Sequence, residues 1–183
     1  MNKRALIPLA QGCEEMEAVT IIDLLRRAGV EVTTAGLDRE PVKASRGTML
    51  IPDTLLDEAM KMPFDLIALP GGQLGTDNLA NDERIVPLIQ RMAASGQWVC
   101  AICAAPAVLG KAGVLAGKRA TSYPGVLDKM ALPGVTYTGA AVERDGNVIT
   151  SRGPGTALAF GLELVEALMG REIRDRVDKS LVR

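Results

Sequence analysis

A cysteine at a strand-to-helix turn is a candidate nucleophile, and Cys103 occupies such a turn. In QWVCAICAAPAVLG an apolar run (Trp98, Val99, Ile102) gives way to Ala104, Ala105 and Pro106, which read as a helix start. At such an elbow the side chain is pushed out at the edge of a sheet, where several α/β enzymes carry their nucleophile. The N–H groups and positive dipole end of the next helix favour thiolate, the reactive form. A depressed thiol pKa is therefore expected at Cys103. A free Cys is as often a small buried hydrophobe, and the local pattern leaves the two readings balanced.

Two further groups could act on that sulfur. Glu17 lies in the first turn of the first helix, just after the first strand turn. A carboxylate beside a thiolate is repelled, but a protonated Glu17 can donate a hydrogen bond to sulfur or to its oxidised forms. Glu14 and Glu15 read as ordinary charges at a helix N-terminus, and for Glu17 the sequence leaves both readings open. Gly71 and Gly72 follow a buried strand; their backbone N–H groups suit an oxyanion hole, although Pro-Gly-Gly is also a common turn. GGQLG is neither a dinucleotide fingerprint nor a Walker loop.

The remaining cysteines are weaker candidates. Cys100 and Cys103 form C-x-x-C, but Cys100 sits inside an apolar strand and no second pair exists, so it reads as buried filler. Cys13 lies on the first strand turn and reads as an idle loop thiol, with a resolving role as the alternative. Ser45-Arg46-Gly47 and Ser151-Arg152-Gly153 repeat a tripeptide, read as a shared turn; Pro154 suits the first turn of the long helix that follows. The chain has no histidine, which excludes Ser-His-Asp and Cys-His pairs and His-ligated metals. Acid–base work at neutral pH falls to a carboxylate, thiol, Lys or Tyr.

Composition sets the frame for these residues. A chain of 183 residues with 48% hydrophobic and 23% charged residues reads as one soluble domain, residues 1–183. A net charge of -1 without a basic stripe argues against specific nucleic-acid binding. No apolar run approaches the ~20 residues of a membrane span. The N-terminus reads as a first strand rather than a signal peptide, and three cysteines fit a reducing cytoplasm better than a disulfide framework.

The elements that must position the candidates alternate. Strands are expected at 4–9, 31–35, 64–69, 97–102 and 119–122. Helices are expected at 14–28, 54–60, 82–94, from Cys103 to about Lys111, and at 155–169, with a last helical segment at 172–177. Hairpins are expected around Ser45-Arg46-Gly47 and Asp145-Gly146. Several strands are apolar throughout, which implies a mostly parallel sheet with helices on both faces. The turns at 11–13, 70–72 and 103–104 should meet at its carboxyl edge. The first helix has apolar residues on more than one face (Met16, Val19 and Ile22 beside Ile21 and Leu25), which predicts a homodimer through it.

Taken together, ALIPLAQGCEEMEAVTIIDLLRRAG, FDLIALPGGQLGTDNL, AICAAPAVL and ITSRGPGTALAFGLELVEAL resemble the ThiJ/PfpI superfamily over essentially the whole chain. The clade is the one holding the Parkinson-linked protein deglycase and bacterial YajL. The resemblance implies a flavodoxin-like three-layer sandwich and a homodimer. It implies that Cys103 is the reactive, oxidation-sensitive cysteine with Glu17 as its protonated partner. Gly72 and Ala104 would supply backbone donors, Tyr123 and Pro154 would border the pocket, and Met16 and Arg27 would lie at the dimer interface with Arg46 nearby. Ala104 replaces the His that follows the nucleophile in protease-like members, which argues against peptidase activity. Tyr123 stands where some relatives carry a pocket His. With a reference pKa of ~10 it shuttles protons poorly near neutrality, which argues against fast glyoxalase turnover.

The expected function is a cysteine-dependent glyoxalase or deglycase needing no metal or organic cofactor. Its substrates would be small electrophilic carbonyls such as methylglyoxal, free or as early glycation adducts. The alternative is a non-catalytic redox sensor whose oxidised dimer acts as a chaperone on unfolded or glycated proteins.

Overall fold

The computed structural model describes residues 3–182. In chain order the elements are β1 (Arg4–Leu9), α1 (Glu15–Arg27), β2 (Glu31–Gly36), β3 (Val42–Lys43), β4 (Met49–Leu50), β5 (Thr54–Leu55) and α2 (Leu56–Ala59). Next come β6 (Leu66–Leu69), α3 (Gln73–Asn81), α4 (Ile85–Ala94), β7 (Trp98–Ile102), α5 (Pro106–Lys111), β8 (Arg119–Ala120) and α6 (Leu127–Met130). The chain continues through β9 (Thr136–Tyr137), β10 (Val142–Asp145), β11 (Val148–Ser151), a 3-10 turn (Pro154–Thr156), α7 (Ala157–Met169) and α8 (Arg171–Ser180).

The main sheet runs β10-β11-β7-β6-β1-β2-β5. Every neighbouring pair in it is parallel except β10 with β11, which turn back on each other through Asp145-Gly146 as the hairpin reading expects. Strand pleating divides the core cleanly. Ala5, Ile7 and Leu9 of β1, Leu66 and Ala68 of β6, and Cys100 and Ile102 of β7 face α1 and α7. Leu6, Ile67, Leu69, Val99 and Ala101 face the opposite way, toward α4 and α5. Successive strand residues point to opposite faces, so near-continuous apolar strands fill both layers at once. From β1 the chain crosses to β2 on one side and later to β6 on the other. That reversal opens a crevice at the carboxyl ends of β1 and β6, the place where ligands bind in flavodoxin-like sheets.

Helix α1 is started by Glu14, whose carboxylate accepts the Glu17 N–H at 2.8 Å. Several expectations need correction: the helix after Cys103 starts at Pro106, the 119–122 strand ends at Ala120, and α6 and β9 lie in a stretch for which no element was expected. Thr54–Met60 is not one helix, because Thr54 and Leu55 first pair with β2 as an edge strand. Helix α3 was not expected: Gly75 and Thr76 blur its apolar stripe. The 82–94 helix begins at Ile85, because Asp82 ends α3 and turns its carboxylate onto the Arg84 N–H and guanidinium.

Candidate active site

Cys103 follows β7 directly and adopts φ 64, a left-handed conformation that costs a non-glycine residue about 1–3 kcal/mol. The backbone holds it there. Its N–H donates to Ser151 O at 3.0 Å, and its carbonyl accepts the Tyr123 N–H at 2.8 Å. The elbow is therefore real, but the side chain is sunk rather than pushed out, with 9% of the residue exposed at the floor of a cleft.

Glu17 is fully buried in the first turn of α1. Its Oε2 accepts the Gly71 N–H at 2.7 Å, and its carboxyl group hydrogen-bonds the Cys103 thiol. Its Oε1 is buried without a hydrogen-bond partner among the described residues. Burial pushes the Glu17 carboxyl up to about 7, against the pull of the Gly71 N–H and the thiol. The Cys103 thiol is pushed up to about 12 by burial and then by the charge on Glu17, while the Gly72 and Ala104 N–H groups pull it down. The expected depressed thiol pKa is thus overturned: loss of solvent outweighs the N–H groups of the short helix that follows. The two groups behave as one acid that releases a proton near neutrality and keeps the second. Gly71 draws the resulting negative charge toward the carboxylate, and Gly72 with Ala104 draws it toward sulfur.

The glycines have separate tasks. A Cβ on Gly71 would stand 2.6 Å from the Cys103 Cβ and 2.8 Å from Glu17 Oε2. Any side chain there would force the pair apart. The Gly71 N–H is committed to Glu17, so its expected place among oxyanion donors does not hold. Gly72, at φ 84, turns its N–H to the Cys103 sulfur.

The cleft above the sulfur encloses about 670 Å³. Tyr123, Val126 and Pro154 border it on one side and Leu74 on another, and Lys43 to Arg46 form a third wall. That wall shows that Glu15 is more than a helix N-terminal charge. Its carboxylate accepts from Ser45 Oγ at 3.1 Å, from the Arg46 N–H at 3.0 Å and from the Thr48 N–H at 3.3 Å. Against the upward push of burial, these bonds and its own N–H hold Glu15 at about 2. The residues involved are some 30 positions apart in sequence, beyond the reach of local pattern. Met16 is exposed on α1, and Arg27 pairs with Asp23 at 2.5 Å. Cys100 is wholly buried, its thiol pushed well up by loss of solvent; Cys13 is buried beneath the wall and held up at about 11.

An α/β sheet with a strained cysteine elbow and a buried acid partner at its carboxyl edge defines a class of cysteine-centred sandwich proteins. The DJ-1/PfpI family model matches residues 3–167, and the chain belongs to that family. It is 45% identical to the Parkinson disease protein 7 homolog of Danio rerio, the alignment covering 99% of this chain and 97% of that one. It is 40% identical to the glutathione-independent glyoxalase DJR-1.2 of Caenorhabditis elegans, covering 98% and 96%. The crystal structure of Drosophila melanogaster DJ-1beta superposes with a TM-score of 0.95 at 43% identity, covering 100% of this chain and 98% of that one. Oxidized Toxoplasma gondii DJ-1 superposes at 0.92 with 35% identity, covering 98% of each.

Proposed function

We propose that the protein is a cysteine-dependent glyoxalase or deglycase acting on methylglyoxal and early glycation adducts without a cofactor. The observation that carries this reading is the contact of the buried Glu17 carboxyl with the Cys103 thiol at the floor of the cleft. The singly ionised pair holds its charge mainly on the carboxylate; transfer of the thiol proton to Glu17 gives the minor form, a sulfur nucleophile with an acid already in contact. Sulfur attacks the aldehyde carbon and a C–S bond forms. The carbonyl oxygen, facing the Gly72 and Ala104 N–H groups, takes the Glu17 proton to give a hemithioacetal. Glu17, now a carboxylate, removes the hydrogen on the carbon bonded to sulfur; reprotonation at the neighbouring carbon leaves a lactoyl thioester. Water cleaves the thioester, releasing lactate and restoring the thiol. The unpartnered Glu17 Oε1 is an oxygen free to carry these protons. A relative named as a glutathione-independent glyoxalase supports the same kind of chemistry.

Lactate formation from methylglyoxal, followed for wild type and Cys103→Ser with buffer-adduct controls, tests the reading. Wild type should form lactate and the variant should not; equal rates overturn it.

The second reading is redox sensing. It is favoured by the donors around the sulfur and by a relative whose structure is described as oxidized. Peroxide would oxidise the thiolate to sulfenate and, with a second equivalent, to sulfinate. The sulfinate oxygens would accept from the Gly72 and Ala104 N–H groups and from protonated Glu17. Under either reading the protein would be a cytoplasmic homodimer, and under the second a chaperone for unfolded or glycated proteins.

A further inference from the structure

The wall formed by Lys43 to Arg46 belongs to a small hairpin of its own. Strands β3 and β4 pair only with each other, in a sheet apart from the main one. The hairpin hangs from the loop that leads into α1. Gln11 accepts the Lys43 N–H at 2.9 Å through Oε1 and donates to Pro41 O at 3.0 Å through Nε2. The Gly12 N–H donates to Lys43 O and the Ser45 N–H to Cys13 O, each at 2.8 Å. At the far end the carboxylate of Glu15 gathers Ser45, Arg46 and Thr48. Hydrogen bonds to a charged acceptor are the strong ones, so Glu15 is the firmest of these straps. It also sits two residues from Glu17, on the same helical turn.

We propose that Glu15 is a positioning residue that fixes the width of the cleft over Cys103, so that the site selects electrophiles by size. The inference rests on the reading that Cys103 is the reacting group. A cavity of about 670 Å³ lies within the roughly 300–1,000 Å³ that holds drug-sized ligands. A free aldehyde as small as methylglyoxal leaves most of that space unused. The wall therefore leaves room for electrophiles larger than the free aldehyde and sets the upper limit on their size. With Glu15 ionised the wall stands closed at that width. Without its carboxylate the Ser45–Thr48 turn loses its common anchor and that end of the wall swings outward about the end still held by Gln11.

Alkylation of Cys103 by iodoacetamide and by a fluorescein maleimide reads this directly, with labelling followed by peptide mass spectrometry. The ratio of bulky to small labelling rates should rise roughly tenfold in Glu15→Ala, the scale of losing a charge-assisted hydrogen bond. Glu15→Gln keeps one accepting oxygen and should fall between. Gln11→Ala cuts the other strap and should raise the ratio in the same direction, which keeps the test decisive if Glu15→Ala does not fold. A ratio that stays at the wild-type value in the folded variants overturns the proposal. So does equal acceleration of both reagents, which would mean an altered thiol rather than an altered opening. These ratios require no turnover, whereas the glyoxalase reading fails on a separate result, wild-type lactate formation no faster than Cys103→Ser.

Discussion

The chemistry turns on where one proton resides. Glu17 keeps its proton to about 7 in the folded protein, against an ordinary value of 4.5. Between those values the folded state binds more protons than the unfolded chain, so raising the pH through that window lowers stability, and the loss is complete above 7. The size is on the order of 3 kcal/mol for a shift of this extent. Glu17→Gln keeps an acceptor for the Gly71 N–H and a donor toward sulfur but does not titrate. Its melting temperature should therefore rise relative to wild type as the pH goes from about 4.5 to 7, while methylglyoxal turnover is lost. A constant difference in melting temperature across that range would remove the buried proton from the account. That Glu17 could reach Cys103 was legible from two strand turns expected at one sheet edge, but only the family resemblance paired the two. The direction of the thiol shift was not, because it depends on how deeply the elbow is buried, and several distant segments decide that together.

Among the elements, α1 carries the most. Its acidic first turn and its apolar spacing were readable, and so was its length to within a residue or two; the capping role of Glu14 was not. Its dealings with the 45–48 turn were not, since the Glu15 contacts join segments that share no periodicity. Helix α3 escaped notice for a related reason: Gly75 packs onto the Cys13 backbone, so it is chosen for close approach rather than for helix formation. Met16 and Val19 remain 58% and 48% exposed on α1, on a face its own sheet leaves uncovered. A second copy of the chain is the proposed cover. Light scattering at micromolar concentration should give a dimer mass for wild type and a monomer mass for Met16→Glu. A monomeric wild type, or a variant that stays dimeric, would count against α1 as the interface.

For the molecule as a whole, alternation of apolar strands with helices was enough to anticipate a mostly parallel sheet covered on both faces. The strand order β2-β1-β6-β7-β11 places the three functional turns side by side at one edge. The residues that line the cleft follow from that order. Lys43 and Arg46 reach it only because the small hairpin folds back over the β1 turn, a long-range arrangement with no local signature. Among the described residues no helix is long and apolar enough to cross a membrane.

The crowding at Gly71 also governs when the Cys103 thiol becomes shielded during folding. Gly71 and Glu17 are 54 positions apart, and Cys103 lies farther along the chain still, so the three segments must dock before the acid and thiol can share a proton. Contacts of such separation carry a large loop-closure cost and form late. A chain still folding therefore holds Cys103 as an ordinary solvated thiol, open to any alkylating or oxidising agent. Pulsed iodoacetamide labelling during refolding should show Cys103 becoming protected with the slowest global phase. Protection acquired in the dead time would mean that the elbow and its neighbours assemble without the rest of the sheet. On this view control of the thiol by Glu17 marks completed folding, and the vulnerable interval for this thiol is the time the chain spends reaching its native state.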